Sequence, residues 1–431
     1  MVTPDRGPLS GRMRQGSIYA QGVLGRTPAV PTSWPRLEAL ARRRLSRKAY
    51  AYVAGGAGLQ DTVAADRAAF DRWRLTPRVL RDVSSRDIGV ELFGRRIPAP
   101  ILLAPVGALG LVHPEADVAV ARAAVAQGLP YIFSNQASRS MEECSAVMGD
   151  APRWFQLYWS TSDDLVASLV RRAEGAGCEA IVVTLDTTML GWRPWDLDLG
   201  HLPFASGEGI AQYTSDPVFA GLVANRAGST SPRPSLAEIP AALAALLRIS
   251  RRHPGALLDN LRSPVPRASV QTFLDVYSRP SLTWENLSFL REISSLPVVL
   301  KGVLHPDDAR RAVEEGVDGV IVSTHGGRQV DGAQGSLDAL PGVVAAIEGR
   351  IPVLMDSGVR GGADIVKAIA LGATAVCIGR PYAYGLGLAG TQGVSEVLSN
   401  LAAELDLTMG LCGYTALDQL GPDVLARRVD G

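Results

Sequence analysis

Cysteine is scarce in this 431-residue chain: Cys144, Cys178, Cys377 and Cys412 are the only four, and none stands in a CxxC or other metal-ligand spacing. Four scattered thiols cannot staple a chain of this length, so free thiols, a reducing compartment (the cytoplasm) and no bound metal are expected. Long apolar runs are missing too. No stretch of about 18 apolar residues occurs, which argues against an ordinary membrane-spanning helix. The first 22 residues carry basic side chains with no apolar stretch after them, so no secretory signal is expected. Excess charge of either sign is also absent. Forty-three Lys and Arg balance 43 Asp and Glu, which favours a small-molecule partner over nucleic acid or an anionic membrane.

What is present is a globular composition, 47% hydrophobic and 20% charged. From residue 99, short β-branched apolar runs alternate with amphipathic stretches, the pattern of parallel strands joined by crossover helices. Eight such runs stand at 99–106, 129–135, 153–159, 178–186, 296–303, 318–324, 351–357 and 373–379. The segments between them, such as SDDLVASLVRRAEGAG and HPDDARRAVEEGVD, end near a glycine as helix C-caps do. Eight strand-helix units predict an α/β fold closed as a (β/α)8 TIM barrel. The rival doubly wound sheet would show fewer strands and a GxGxxG fingerprint after the first run, and none is there.

The chain then divides into an N-terminal arm over 1–32, a helical cap and approach to the barrel over 33–98, the barrel over 99–395 and a C-terminal helical tail over 396–431. In the cap, SWPRLEALARRRL and TVAADRAAFDRW read as two helices flanking AYAYVAGGAGLQD. After the fourth run, residues 196–284 far exceed what one crossover needs. This insertion holds Gly/Ser/Pro-rich pieces, ASGEGIAQYTSDP and AGSTSPRPS, and an Ala/Leu-rich helical piece. A lid over the barrel mouth is one reading; an oligomer contact or a tolerated surface loop is the other.

Polar residues concentrate after the sixth run, in STHGGRQVDG. Catalytic groups of TIM barrels project from that end of their strands, and an imidazole with a pKa of about 6.5 suits a general base. His325 is therefore a candidate base, with a structural histidine as the alternative. Arg328 and, after the fourth run, Arg193 could grip a carboxylate as planar forks; surface ion pairs are the plainer fate of either. Asp186 ends the fourth run and could orient the imidazole. Gln156 and Tyr158 alternate with apolar residues, so both point to one face of the third run, Gln156 suited to a flavin edge and Tyr158 to a substrate oxygen. Lys301, in an apolar run, needs an anionic partner. Gly358, Arg360, Gly379 and Arg380 follow the seventh and eighth runs, where barrels often bind phosphate, although such glycines can also simply cap helices. A phosphate there and a buried cation at Lys301 would suit flavin mononucleotide (FMN).

These segments resemble the FMN-dependent 2-hydroxy acid dehydrogenase and oxidase family, which includes glycolate oxidase, lactate oxidase and lactate 2-monooxygenase. The likeness runs over roughly residues 35–395 through AYAYVAGGAG, LLAPVGALGLVHPEAD, FQLYW, VTLDTTMLGWRPWD, VIVSTHGGRQVDG and MDSGVRGGADIVKAIALGATAVCIGRP. It implies FMN as cofactor, His325 as base, Asp186 against it and Tyr158 on the substrate hydroxyl. The carboxylate would be held by Tyr52, Arg193 and Arg328. Flavin contacts would come from Pro105, Val106, Gly107, Ser134, Gln156, Thr184, Lys301 and Ser323, with phosphate near Asp356, Gly358, Arg360, Gly379 and Arg380. Three departures stand out: Ser323-Thr324 where Ser-Asn is usual, APVG where AP-Thr-Ala is common, and Gln136 where an aromatic residue is frequent.

Within the family the long insertion, GWRPWD and YTSDPVF are most similar to the lactate 2-monooxygenase type. This implies oxidation of L-lactate with O2 to acetate, CO2 and water. The alternative is an oxidase or dehydrogenase that releases the keto acid with hydrogen peroxide or a reduced carrier. The resemblance also implies a homotetramer.

Overall fold

The computed structural model describes residues 10–226 and 235–428. Residues 1–9 of the arm, nearly all of AGSTSPRPS and the last three residues of the tail lie outside the described residues. Eight strands form the centre: β1 Ile101–Leu103, β2 Tyr131–Phe133, β3 Arg153–Leu157, β4 Ile181–Thr184, β5 Val298–Lys301, β6 Gly319–Val322, β7 Val353–Met355 and β8 Ala375–Ile378. Each pairs in parallel with the next and β8 pairs with β1, so the sheet closes into the expected TIM barrel. Strands covered on both faces must be apolar throughout, which is why each was readable as a continuous run.

Alternation along the strands sorts the side chains into layers. Leu102, Ile132, Trp154, Val182, Val299, Ile321, Leu354 and Cys377 face inward and pack together as the barrel interior. A two-stranded ribbon, Val90–Leu92 with Arg95–Ile97, plugs the lower end with Leu92 and Ile97. Two residues further along each strand, the inward positions become Ala104, Ser134, Gln156, Thr184, Lys301, Ser323, Asp356 and Gly379. The interior thus changes from hydrocarbon to a polar ring at the C-terminal mouth.

Ahead of the barrel stand four helices, α1 Gly11–Val23, α2 Trp34–Arg44, α3 Arg47–Ala54 and α4 Asp61–Asp71. The cap therefore contains one helix more than its sequence pattern suggests. AYAYVA is helical because Ser46 caps the start, its hydroxyl accepting from Ala49 N at 3.2 Å, and Gly55-Gly56 end it. At the other end of the chain, the helix Arg380–Leu411 runs through position 395, its backbone interrupted at Ala389 and Gly390. The tail boundary drawn there falls inside a helix.

The insertion contains several helices where one was expected, among them Pro217–Arg226, Ile239–Arg252, Leu257–Arg262 and Val265–Val276. Phe204, Tyr213, Phe219 and Phe273 bury their rings together at its base. Asp216 accepts from Ser168 at 2.8 Å and pairs with Arg172 at 3.0 Å, and Gln212 accepts from Met141 N at 3.0 Å, tying that base to the barrel's outer helices. Among the described residues no helix is long and apolar enough to cross a membrane, and no cluster of side chains could hold a metal ion.

Candidate active site

A cavity of about 1060 Å³ opens above the polar ring. Five cations line it, Arg193, Lys301, Arg328, Arg360 and Arg380, against one carboxylate, Asp356. Such an excess in a sheltered space calls for an anionic ligand.

His325 follows β6 with a left-handed backbone, φ 57°, and Gly326 and Gly327 continue it at 67° and 71°. A side chain at 327 would strike Val63 of α4, so only glycine lets the His325 loop lie against the cap. The His325 Nδ1 lies 3.0 Å from Asp186 Oδ1. Gly302 makes this approach feasible, since a Cβ there would stand 2.9 Å from Asp186. Burial lowers the His325 pKa below its ordinary value, outweighing the upward pull of Asp186. Burial alone would raise the Asp186 pKa, but His325 and Lys301 hold it lowered. The carboxylate is thus ionised and only accepts, which places the proton on Nδ1 and leaves the Nε2 lone pair as a base.

Arg328 donates to the carbonyls of Tyr52 and Gly55 at the C-terminal end of α3, and its guanidinium sits 4.9 Å from the Tyr52 ring centroid. Arg193 donates to Arg328 O at 3.1 Å and to Gln329 Oε1 at 2.6 Å. Burial and the Arg328 charge depress the Arg193 pKa to about 10, a strain that a carboxylate between the two guanidiniums would relieve. The Tyr52 and Tyr158 hydroxyls are pushed up by burial and remain protonated donors at the same end.

On the floor, Gln156 donates to Thr184 Oγ1 at 3.0 Å and accepts from Ser134 Oγ at 3.2 Å. Lys301 finds the anion its position demands, pairing with Asp356 at 2.9 Å and donating to Ser323 at 2.7 Å. Ser134, Gln156, Thr184 and Ser323 lie beneath the cavity surface; Pro105, Val106 and Gly107 reach it directly, as do Lys301 and Asp356.

Gly358, Arg360, Gly379 and Arg380 line the same cavity, and Arg380 shares the Gly55 carbonyl with Arg328. Arg380 donates to the carbonyls of Val53 and Gly55, and Arg360 stacks 4.2 Å over Trp34 with its Nε buried and unpartnered. Burial, then Arg380, then Arg67 drive the Arg360 pKa down to about 9. Crowded, incompletely bonded guanidiniums beside a loop and a helix start fit the phosphate of FMN. Arg360→Gln and Arg380→Gln should each weaken FMN binding about tenfold to a hundredfold. That follows from about 1.5–3 kcal/mol for a charge-assisted hydrogen bond, with 1.4 kcal/mol per factor of ten. Titration of apoprotein with FMN, followed by flavin fluorescence, checks it.

Several lining or supporting residues escaped the sequence reading. Gln329 lies within the HGGRQ segment and clamps the loop after β4, donating to Asp186 O at 2.7 Å and Met189 O at 2.8 Å. Tyr277 reaches the cavity from the far end of the insertion, with no local signal. Asp66 of α4 accepts from Thr324 at 2.7 Å and from Ser336 N at 3.1 Å, and burial raises its pKa to about 6. It holds the His325 loop from the cap side.

A barrel whose mouth holds an imidazole-carboxylate pair, paired arginines and a further arginine-glycine cluster suited to phosphate, all around one anion-seeking cavity, defines a flavin-dependent oxidoreductase. The profile of the FMN-dependent dehydrogenase family matches residues 41–427, and the chain belongs to that family. An FMN-dependent alpha-hydroxy acid dehydrogenase of Penicillium citrinum, qulF, is 41% identical over 97% of each chain. An L-lactate oxidase of Lysinibacillus sphaericus is 39% identical, covering 94% of this chain and 95% of its own. Among solved structures, mandelate oxidase with (S)-4-hydroxymandelic acid matches with a TM-score of 0.75 at 37% identity, over 93% of this chain and 99% of that one. The protein is an FMN-dependent 2-hydroxy acid oxidoreductase. These relatives are named as dehydrogenases and oxidases, so the likeness rests at the family and not at lactate 2-monooxygenase.

Proposed function

We propose that the chain is a 2-hydroxy acid oxidase that releases its keto acid, with O2 as electron acceptor and hydrogen peroxide as second product. The observation that carries the chemistry is the convergence of His325, Arg193, Arg328 and Tyr158 on one end of the cavity. Arg193 and Arg328 bind the carboxylate and fix which face of the substrate is presented. The Tyr158 hydroxyl donates to a substrate oxygen. His325 Nε2 takes the proton, and Asp186 stabilises the imidazolium that results. FMN, when bound, would supply the two-electron acceptor, with O2 as the final oxidant.

The relatives named L-lactate oxidase and mandelate oxidase support release of the keto acid over its decarboxylation in the closed site. A small panel of L-lactate, (S)-mandelate and glycolate, turned over in air with and without catalase, tests this. One equivalent each of keto acid and peroxide is expected. Acetate and CO2 from L-lactate in full yield without catalase would replace the oxidase with the monooxygenase outcome. Formation of pyruvate only when an artificial electron acceptor is added would point to a dehydrogenase.

A further inference from the structure

A second cavity, about 1320 Å³, adjoins the first and shares Leu190 and Arg193 with it. Its walls come from the start of α3, from the loop after β4 and from the insertion helix Ile239–Arg252. Lys48, Arg248 and Arg252 line its outer part, Arg193 stands buried at the inner end, and the one lining carboxylate is Asp196. Arg252 is paired with Glu208 at 2.8 Å, while Lys48 and Arg248 are exposed and form no ion pair among the described residues. Two polar atoms in this lining, His201 Nε2 and Asp196 Oδ1, are buried without a partner among the described residues.

We propose that this cavity is an anion-collecting vestibule, in which Lys48 and Arg248 draw the carboxylate substrate toward Arg193 before it passes Leu190 into the active site. The inference rests on the proposed function only in that the substrate is a carboxylate. Cations converging on a low-dielectric cleft focus the field and raise the local concentration of an anion, and salt screens that field. A potential placed at the approach and not at the reacting atoms acts on kcat/KM and leaves kcat alone. Charge and position both fit: the exposed cations are outermost, the buried one is shared with the first cavity, and no ion pair among the described residues neutralises the outer pair. The insertion, through Arg248, thereby contributes to substrate capture.

The test is anaerobic and steady-state kinetics of the FMN-loaded enzyme at increasing salt, with whichever of L-lactate and (S)-mandelate reduces the flavin faster. Arg248→Gln with Lys48→Gln should lower kcat/KM about tenfold at low ionic strength. Its salt dependence should flatten while kcat and melting temperature stay unchanged. Arg248→Glu should lower kcat/KM further. Arg251→Gln, which removes one positive charge from the same helix outside the cavity, should do nothing. Unchanged kcat/KM in the double variant, a fall with the salt dependence intact, or an equal effect of Arg251→Gln overturns the vestibule. Failure of every hydroxy acid to reduce the flavin of the unaltered enzyme would instead sink the proposed function.

Discussion

His325→Gln should leave the protein yellow with bound FMN yet slow flavin reduction by about 10²–10⁴-fold, the usual worth of a positioned general base. Glutamine keeps the size and polarity of the side chain but has no basic lone pair near neutral pH. The cradle at Arg360 and Arg380 is untouched, so cofactor content should not change. Anaerobic stopped-flow mixing with substrate, followed at the flavin absorbance, reads the loss. Turnover at the original rate would remove His325 from the mechanism.

The same residue dictates the pH profile. The base must be neutral, so kcat/KM is lost as pH falls through the His325 pKa, which burial holds below the ordinary value of about 6.5. Asp186 opposes that shift. Asp186→Asn should therefore move the acid limb to still lower pH while cutting kcat, because the imidazolium loses its counter-charge. An acid limb that moved upward would show that Asp186 does not face the base.

Much of this site was legible because local chemistry repeats at period two. Trp154 then Gln156 and Val299 then Lys301 are inward pairs in which hydrocarbon gives way to a polar group, and the change marks the mouth of the barrel; Asp356, in the same layer, was reached only through family likeness. His325 and its glycines stood out for the same reason: polar residues directly after a buried strand. What stayed hidden depends on contacts distant in sequence. No period in α3 announces that the carbonyls of Tyr52 and Gly55 will receive Arg328, or that Arg380 will bond Val53 and Gly55. Tyr52 was reached through family likeness alone. The insertion misled because its Gly/Ser/Pro content suggests a loop, while Gln212 and Asp216, which pin its base, are isolated polar residues with distant partners. The Lys48 and Arg248 pair belongs to the same class, two cations made neighbours only by the fold.

Lys301 offers the sharpest separation of stability from catalysis. It is buried, which by itself pulls its pKa down, but the Asp356 and Asp186 charges and the Asp356 hydrogen bond together keep it raised. Lys301→Met strands the Asp356 carboxylate with the Ser357 hydroxyl, and breaking a buried pair in this way costs about 3–5 kcal/mol. Adding Asp356→Asn removes the stranded charge, so the double variant should regain most of that loss in denaturant unfolding. Activity should not follow. Lys301 also lowers the His325 pKa, and Asp356 is not among the five strongest influences on that ring. The acid limb of kcat/KM should therefore move to higher pH in the single variant and remain there in the double. A purely structural lysine would give back the rate, and the original limb, together with the stability. Recovery of all three in the double variant would confine Lys301 to holding the barrel floor.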